Sequence, residues 1–269
     1  MTPYDDNLIK FEAQGAALPV DAQREGDVEH GGARIWYATY GSGPAVVMLH
    51  GGLGHSGNWG YQVPALVDAG YRVVVIDSRG HGRSTRHVQP YSYDLLGADV
   101  IAVMDVLDLE RAAFVGWSDG ACTSLILAMH MPARVAGVFF FACNMDPSGV
   151  QEFVPTPALH RCFHRHVEDY ARLSATPDQF LEFAAAVGLM QRTQPNTSAQ
   201  QLAEIRVPVT IVQSEHDEFI KREHAEYLAR SIPGARLVIL SQVSHFAPLQ
   251  RPDSFNQAML SFLTSMRHD

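Results

Sequence analysis

The five residues at positions 116–120 limit the fold of this chain more than any other segment. They read Gly-Trp-Ser-Asp-Gly, follow the apolar run 112–115 and precede the helix-like run 121–131. A serine between two glycines, set between a strand and a helix, is typical of a sharp turn that holds the hydroxyl above a sheet. Glycine at both flanks removes the Cβ atoms that would clash in such a turn. We therefore predict a strained backbone at Ser118, beside a helix N-terminus that favours negative charge.

The rest of the chain alternates between strand and helix patterns. Residues 27–40 predict a hairpin that turns at Gly31 and Gly32. Strands are then expected at 45–49, 72–76, 112–115, 135–142, 207–212 and 236–240, and helices at 59–69, 93–107, 121–131, 222–231 and 254–266. This alternation predicts an α/β protein whose mostly parallel sheet carries helices on both faces. Right-handed crossovers place the carboxyl ends of the parallel strands, and the loops that follow them, along one rim.

The alternation is interrupted between residues 144 and 205. This segment contains five prolines and has a helical pattern between them. We predict that residues 27–143 and 206–269 form one core. Residues 144–205 are then a small helical lid inserted after the fifth parallel strand, and residues 1–26 are an N-terminal extension.

Composition excludes several classes of function. The 269 residues carry a formal net charge of −9 and contain no run of Lys or Arg, so binding to nucleic acid or to an anionic membrane is not expected. No segment approaches the roughly 18 consecutive apolar residues of a membrane span. Residues 1–27 lack the charged start and apolar middle of a signal peptide, and the three cysteines lack a Cys-x-x-Cys pattern. We expect a cytoplasmic protein with reduced thiols; a homodimer is one assembly that the sequence leaves open.

Two residues are candidates to activate Ser118, because a serine hydroxyl needs a base and the base needs an orienting acid. His245 follows the last predicted strand, and Asp217 follows the strand before it. Asp146, which also follows a strand, is an alternative acid, and Glu215 lies two residues from Asp217. All of these positions lie on the predicted rim.

A serine of this kind also needs two backbone N–H groups that stabilise negative charge on the attacked carbonyl oxygen. We expect one from Asp119, directly after Ser118, and one from Gly52, with Leu53 as the alternative. The segment 50–54 lacks the Gly-Lys-Ser/Thr ending and the Gly-x-Gly-x-x-Gly spacing of phosphate-binding loops. We interpret His50 as a structural hydrogen-bonding residue of this loop. The chemistry requires neither a metal nor an organic cofactor.

Asp119 is an unusual residue beside such a site, because its charge opposes the developing oxyanion. It either points away and caps the helix, or faces the pocket and pairs with a cation from the substrate or the lid. The candidates for substrate binding are Asp119, Trp117, Leu53, Phe163, Met190 and Phe246. Core packing is an alternative for Trp117, and the lid's apolar face is an alternative for Met190.

Residues 77–84 add a second motif, Asp-Ser-Arg-Gly-His-Gly-Arg-Ser. Together with the elbow at Ser118, it makes residues 26–266 resemble the α/β-hydrolase superfamily, in which this turn is structural. The elbow is similar to that of biphenyl-hydrolase-like and valacyclovir-hydrolase-like serine esterases, although Ala121 stands where those relatives tend to have a second glycine. The resemblance implies the α/β-hydrolase fold and a Ser-His-Asp triad, and it favours an Asp119 that faces an α-amino ester. Haloalkane dehalogenases and epoxide hydrolases of this fold carry aspartate at the elbow, so Ser118 argues against both.

These observations predict a serine hydrolase that cleaves small carboxylic esters through an acyl-enzyme on Ser118. Three other hydrolases would use the same residues: a carbon–carbon bond hydrolase, a lactonase and an aminopeptidase or amide hydrolase. A non-catalytic small-molecule receptor on the same scaffold is the alternative of a different class.

Overall fold

The computed structural model describes residues 8–266 and has one sheet of eight strands in the order β1-β2-β4-β3-β5-β6-β7-β8. The strands are β1 (Arg24–His30), β2 (Ala33–Tyr40), β3 (Ala45–Leu49), β4 (Arg72–Ile76), β5 (Ala112–Trp117), β6 (Val135–Phe141), β7 (Val209–Ser214) and β8 (Arg236–Leu240). Strand β2 pairs antiparallel with β1 and with β4, and every pair from β4 to β8 is parallel. The predicted mostly parallel sheet is therefore confirmed.

The helices cover both faces of this sheet. They are α1 (Leu8–Gln14), α2 (Gln62–Asp68), α3 (Tyr93–Val106), α4 (Asp119–His130), α5 (Pro157–Leu173), α6 (Phe180–Thr193), α7 (Ala199–Ala203), α8 (Arg222–Ser231), α9 (Ala247–Gln250) and α10 (Pro252–Ser265). Val47 and Val74 pack with the apolar side chains of α3, α4 and α8. Their neighbours Val46 and Val73 point the other way and pack with α2 and α10. Strands buried on both faces explain why the sequence shows continuous apolar runs there.

The N-terminal part of the chain is more ordered than the sequence suggested. Strand β1 begins at Arg24, before the predicted start of the hairpin, and helix α1 lies within the predicted extension. Leu8 and Phe11 of α1 are buried, and this helix contacts α5. The outermost residues of the predicted extension (1–7) and of the predicted core (267–269) lie outside the described residues.

The segment 144–205 contains helices α5, α6 and α7 and follows β6. Strand β6 is the fourth parallel strand along the chain, after β3, β4 and β5, so the predicted insertion after a fifth parallel strand is wrong. Strand β2, which precedes these strands in the chain, runs antiparallel to its neighbour β4 and is not one of the parallel strands. Within residues 8–266, no helix combines the length and the apolar character needed to cross a membrane.

The turn at residues 77–84 fixes the loops at the rim, as the sequence motif implied. The buried carboxylate of Asp77 accepts the backbone N–H of Ser56 at 2.7 Å and that of Arg83 at 2.9 Å. Arg79, also buried, donates to both carboxylate oxygens of Asp99, at 2.9 and 2.6 Å. A buried guanidinium held by a carboxylate in this bidentate way locks the turn against α3.

Candidate active site

Ser118 occupies a strained turn of one residue between β5 and α4. Its φ is +53° and its ψ is −121°, a conformation that a side chain with a Cβ rarely adopts. The backbone N–H of Ser118 donates to Phe141 O of the adjacent strand at 2.8 Å. A Cβ on Gly116 would lie 2.4 Å from Ala121 Cα, and one on Gly120 would lie 2.0 Å from Leu49 O. Both glycines are required because the helix starts in direct contact with the strands.

His245 and Asp217 lie together at the same edge of the sheet. His245 Nδ1 is 3.0 Å from Asp217 Oδ2 and 3.2 Å from Oδ1, and both side chains are buried. Asp217 Oδ1 also accepts the backbone N–H groups of Phe219 at 2.9 Å and Ile220 at 2.8 Å, which hold the carboxylate in place. Because a carboxylate accepts, Nδ1 carries the proton and Nε2 is left as the basic nitrogen.

The electrostatic surroundings make this imidazole a stronger base than an ordinary one. Burial disfavours the charged form, but the charge and hydrogen bond of Asp217, with the charges of Glu218 and Asp119, outweigh it. They raise the pKa of His245 above its usual value of 6.5.

The alternative acids considered from the sequence lie elsewhere. Asp146 Oδ1 accepts the backbone N–H of Ser148 at 2.9 Å and its hydroxyl at 2.5 Å, so this carboxylate caps a short helical turn. Glu215 is exposed and accepts the backbone N–H of Gln242 at 2.8 Å. Neither carboxylate forms an ion pair with His245, whereas Asp217 does.

A cavity of about 570 Å³ opens at this edge, and Ser118, Asp119 and His245 all line it. The predicted binding residues Leu53, Trp117, Phe163 and Phe246 line it as well, together with Gly52. Met190 is different: it lies in the core cluster beneath α6, outside the lining of the cavity. Helices α5 and α6 contribute several lining residues, which are Leu159, His160, Phe163, His166, Gly188, Gln191 and Arg192. The predicted lid segment thus forms one wall of the cavity.

Asp119 faces this cavity and does not cap α4 with its side chain. Its Oδ1 accepts the hydroxyl of Tyr93 at 2.9 Å, and its Oδ2 accepts Nε2 of Gln191, in α6, at 2.9 Å. Burial raises the pKa of Asp119, although both hydrogen bonds and the charge of His245 act in the opposite direction. The capping interpretation is therefore wrong, and the lid supplies a neutral amide where a cation was one of the expectations. Tyr93 and Gln191 belong to no sequence motif, and sequence reasoning missed them.

The segment after β3 lines the same cavity through residues 51–54. Among residues 8–266, the backbone N–H groups of Gly52, Leu53 and Asp119 have no protein acceptor. A Cβ on Gly52 would lie 2.5 Å from Asp119 Oδ2, so only glycine fits between this loop and the elbow without displacing the carboxylate. Leu53 adopts a positive φ of 63°. Gly52 and Leu53 therefore both remain candidates for the second backbone N–H donor, in addition to Asp119.

His50 has a structural place in this loop, as the sequence analysis expected. Its Nε2 accepts the backbone N–H of Ser78 at 3.0 Å, so Nδ1 carries the proton and donates to Gly51 O at 2.8 Å. Burial lowers the pKa of His50 to about 4, and the ring is neutral at pH 7. These two bonds join the loop after β3 to the turn after β4.

Comparison with known proteins relates most of the chain to hydrolases. A sequence family described as alpha/beta hydrolase fold matches residues 44–160. The 2-hydroxy-6-oxo-6-phenylhexa-2,4-dienoate hydrolase of Comamonas testosteroni is 30% identical, with 85% of this chain and 91% of that protein covered. The 3-oxoadipate enol-lactonase 2 of Acinetobacter baylyi is 28% identical, with 83% of this chain and 90% of that protein covered. Among solved structures, that of Est816, an N-acyl homoserine lactone degrading enzyme, has a TM-score of 0.71 and 28% identity, and covers 88% of this chain and 99% of that one.

Proposed function

Because the chain belongs to the α/β-hydrolase family, we propose that it is a serine hydrolase that cleaves small carboxylic esters through an acyl-enzyme on Ser118. The observation that carries this proposal is the imidazole of His245, held at 3.0 Å by Asp217, on the cavity that the strained Ser118 also lines. A nucleophile, a base and an orienting acid at one edge of a sheet are the parts that acyl transfer needs.

The proposed reaction has two halves. His245 Nε2 takes the hydroxyl proton as Ser118 Oγ attacks the ester carbonyl, and Asp217 stabilises the imidazolium that forms. The N–H of Asp119 and that of Gly52 or Leu53 stabilise the oxyanion of the tetrahedral intermediate. When this collapses, the carbon–oxygen bond to the alcohol breaks and the imidazolium gives its proton to the leaving alcohol. His245 then activates water, which attacks the acyl-enzyme, and the acid is released with Ser118 restored.

The cavity supports a small, largely apolar acyl or alcohol group. Its lining includes Leu53, Trp117, Phe163 and Phe246. Apolar groups of a substrate are stabilised when they leave water and contact apolar walls of this kind. Both oxygens of Asp119 already accept hydrogen bonds from protein donors, which favours uncharged esters over cationic ones.

A lactone is the second candidate substrate, because it is a cyclic ester and the same two steps open its ring. The similarity to an enol-lactonase and to an N-acyl homoserine lactone degrading enzyme supports this alternative. The relative from Comamonas testosteroni supports carbon–carbon bond hydrolysis as a third.

The three candidate reactions are ranked by measuring kcat/KM on one set of substrates for each. The sets are p-nitrophenyl acetate and butyrate for esters, aliphatic lactones for ring opening, and a vinylogous 1,5-diketone acid for carbon–carbon bond hydrolysis. The Ser118→Ala variant should lose several powers of ten in turnover on whichever substrate is cleaved, and it should lose labelling by a fluorophosphonate probe. A Ser118→Ala variant that turns over esters near the wild-type rate would contradict the proposal. A folded wild-type protein that neither cleaves the panel nor reacts with the probe would favour the receptor alternative.

A further inference from the structure

A second carboxylate contacts the candidate base, at a position that sequence reasoning did not select. Glu218 follows Asp217 directly, and its Oε2 accepts the backbone N–H of His245 at 2.9 Å. Asp217 holds the imidazole at 3.0 Å, and the ring of Phe219 packs edge-on against that imidazole with 4.8 Å between ring centroids. Three consecutive residues thus hold His245 by its backbone, by Nδ1 and by its ring face.

Within residues 8–266, no lysine or arginine side chain pairs with the carboxylate of Glu218, which is half-buried. Burial raises the pKa of Glu218, while the hydrogen bond from His245 and the charge of His245 act against that rise and the charge of Asp217 adds to it. The charges that act most strongly on His245 are those of Asp217, Glu218 and Asp119, all of them acidic. The imidazolium is therefore favoured by its attraction to these carboxylates.

We propose that Glu218 is a positioning residue for His245, which fixes the backbone of the histidine through its N–H and places a second negative charge beside the imidazole. This inference rests on the proposed function in one respect, the role of His245 as the base. The loop that carries His245 follows the edge strand β8 and is buried against the end of β7, where the hydroxyl of Ser214 donates to Ser244 O at 2.6 Å. Glu218 adds a contact from the same strand end directly to the backbone N–H of His245.

Glu218→Gln separates the two roles, because the amide oxygen still accepts the N–H of His245 while the charge is gone. The acidic limb of kcat/KM against pH reports the base of the free enzyme. With the charge removed the imidazole binds its proton less tightly, and this limb should move to lower pH by on the order of one unit. Glu218→Ala removes the acceptor as well, and should in addition lower kcat by roughly tenfold with little change in KM.

Glu215→Gln is the matched control. Glu215 lies on the same loop and also accepts a backbone N–H from the segment that leads to His245, that of Gln242, but it is exposed. Its pH profile should coincide with that of the wild type. An acidic limb that does not move in Glu218→Gln, or that moves equally in Glu215→Gln, would overturn the proposal.

Titration of the His245 ring by NMR gives a readout that does not depend on turnover. The resonance is assigned by its loss in His245→Gln, and its midpoint should fall in Glu218→Gln and stay in place in Glu215→Gln. An unchanged midpoint in folded Glu218→Gln overturns the role of Glu218 whatever the substrate is. Failure of the proposed function is a different result: full activity in Ser118→Ala, with the NMR shift still present.

Discussion

Gly120→Ala tests whether the site depends on the close approach of α4 to β3. An added Cβ would lie 2.0 Å from Leu49 O and 2.8 Å from His50 O, where real Cβ atoms keep at least 3.0 Å. These neighbours are backbone atoms and cannot rotate away. The N-terminus of α4 and the end of β3 must therefore separate by about 1 Å. Because Ser118 directly precedes α4 and the loop with Gly52 directly follows β3, this separation moves Ser118 away from that loop.

The expected loss follows from that displacement. A misplacement of about 1 Å between reacting groups costs on the order of a hundredfold in rate, so kcat/KM should fall by about that factor. Alanine gains about 1 kcal/mol over glycine in a helix, whereas overpacking costs about 1–3 kcal/mol. The free energy of unfolding should thus stay equal or fall by up to about 2 kcal/mol, far less than a global collapse would require.

The assay compares kcat/KM for p-nitrophenyl butyrate with the free energy of unfolding in urea, at a temperature where circular dichroism shows the variant fully folded. Gly97→Ala is the matched control: it lies within α3 and outside the lining of the cavity, and its Cβ meets only the Leu127 side chain, with Cδ2 at 3.2 Å. That variant should keep its kcat/KM and change in stability by at most about 1 kcal/mol. A folded Gly120→Ala enzyme that keeps its kcat/KM within about threefold of wild type would refute the reasoning.

Two further predictions concern the site acid and the buried histidines. Asp217→Asn should lower kcat by about 10³–10⁴-fold, because the amide no longer fixes the tautomer of the imidazole. Asp146→Asn is the control, and its kcat should stay near that of the wild type. The reverse order of the two kcat values would assign the acid to Asp146. Stability should fall as pH drops below about 6.5, by about 1.4 kcal/mol per pH unit for each histidine whose pKa burial lowers, because the unfolded state takes up those protons first. Urea unfolding at pH 7, 6 and 5 measures this slope, to which the raised pKa of His245 contributes with the opposite sign; a flat profile would contradict it. The histidines concerned are His50 (pKa about 4), His81 (about 3), His166 (about 4) and His224, whose pKa burial also lowers.

The sequence was sufficient for the parts of the site that follow from topology. Ser118, Asp217 and His245 each follow an apolar strand, and parallel strands bring such positions to one rim whatever the loops contain. The partners of Asp119 could not be found in this way, because Tyr93 in α3 and Gln191 in the lid helix α6 lie 26 and 72 positions away and meet it only through tertiary packing.

Two other differences have the same physical origin. Helix α1 has only seven residues and is stabilised by burial of Leu8 and Phe11 against other helices, which local sequence does not report. Periodicity identified an apolar face on α6, but that face packs on the core, so Met190 lies beneath the helix while Gln191 reaches the cavity. Adjacent residues of α6 therefore face the core and the cavity, and only the packed structure shows which residue faces which.

In the proposed reaction, Asp119 places a carboxylate beside the expected oxyanion. A bare carboxylate in a dry cavity would strongly oppose negative charge on the substrate. Here Tyr93 and Gln191 each donate to one of its oxygens, and these hydrogen bonds stabilise its charge. The same two bonds join α3 and α6 to the turn at Ser118. Because the carboxylate already has two protein donors, we propose that the substrate need not supply a cation, and this favours neutral esters.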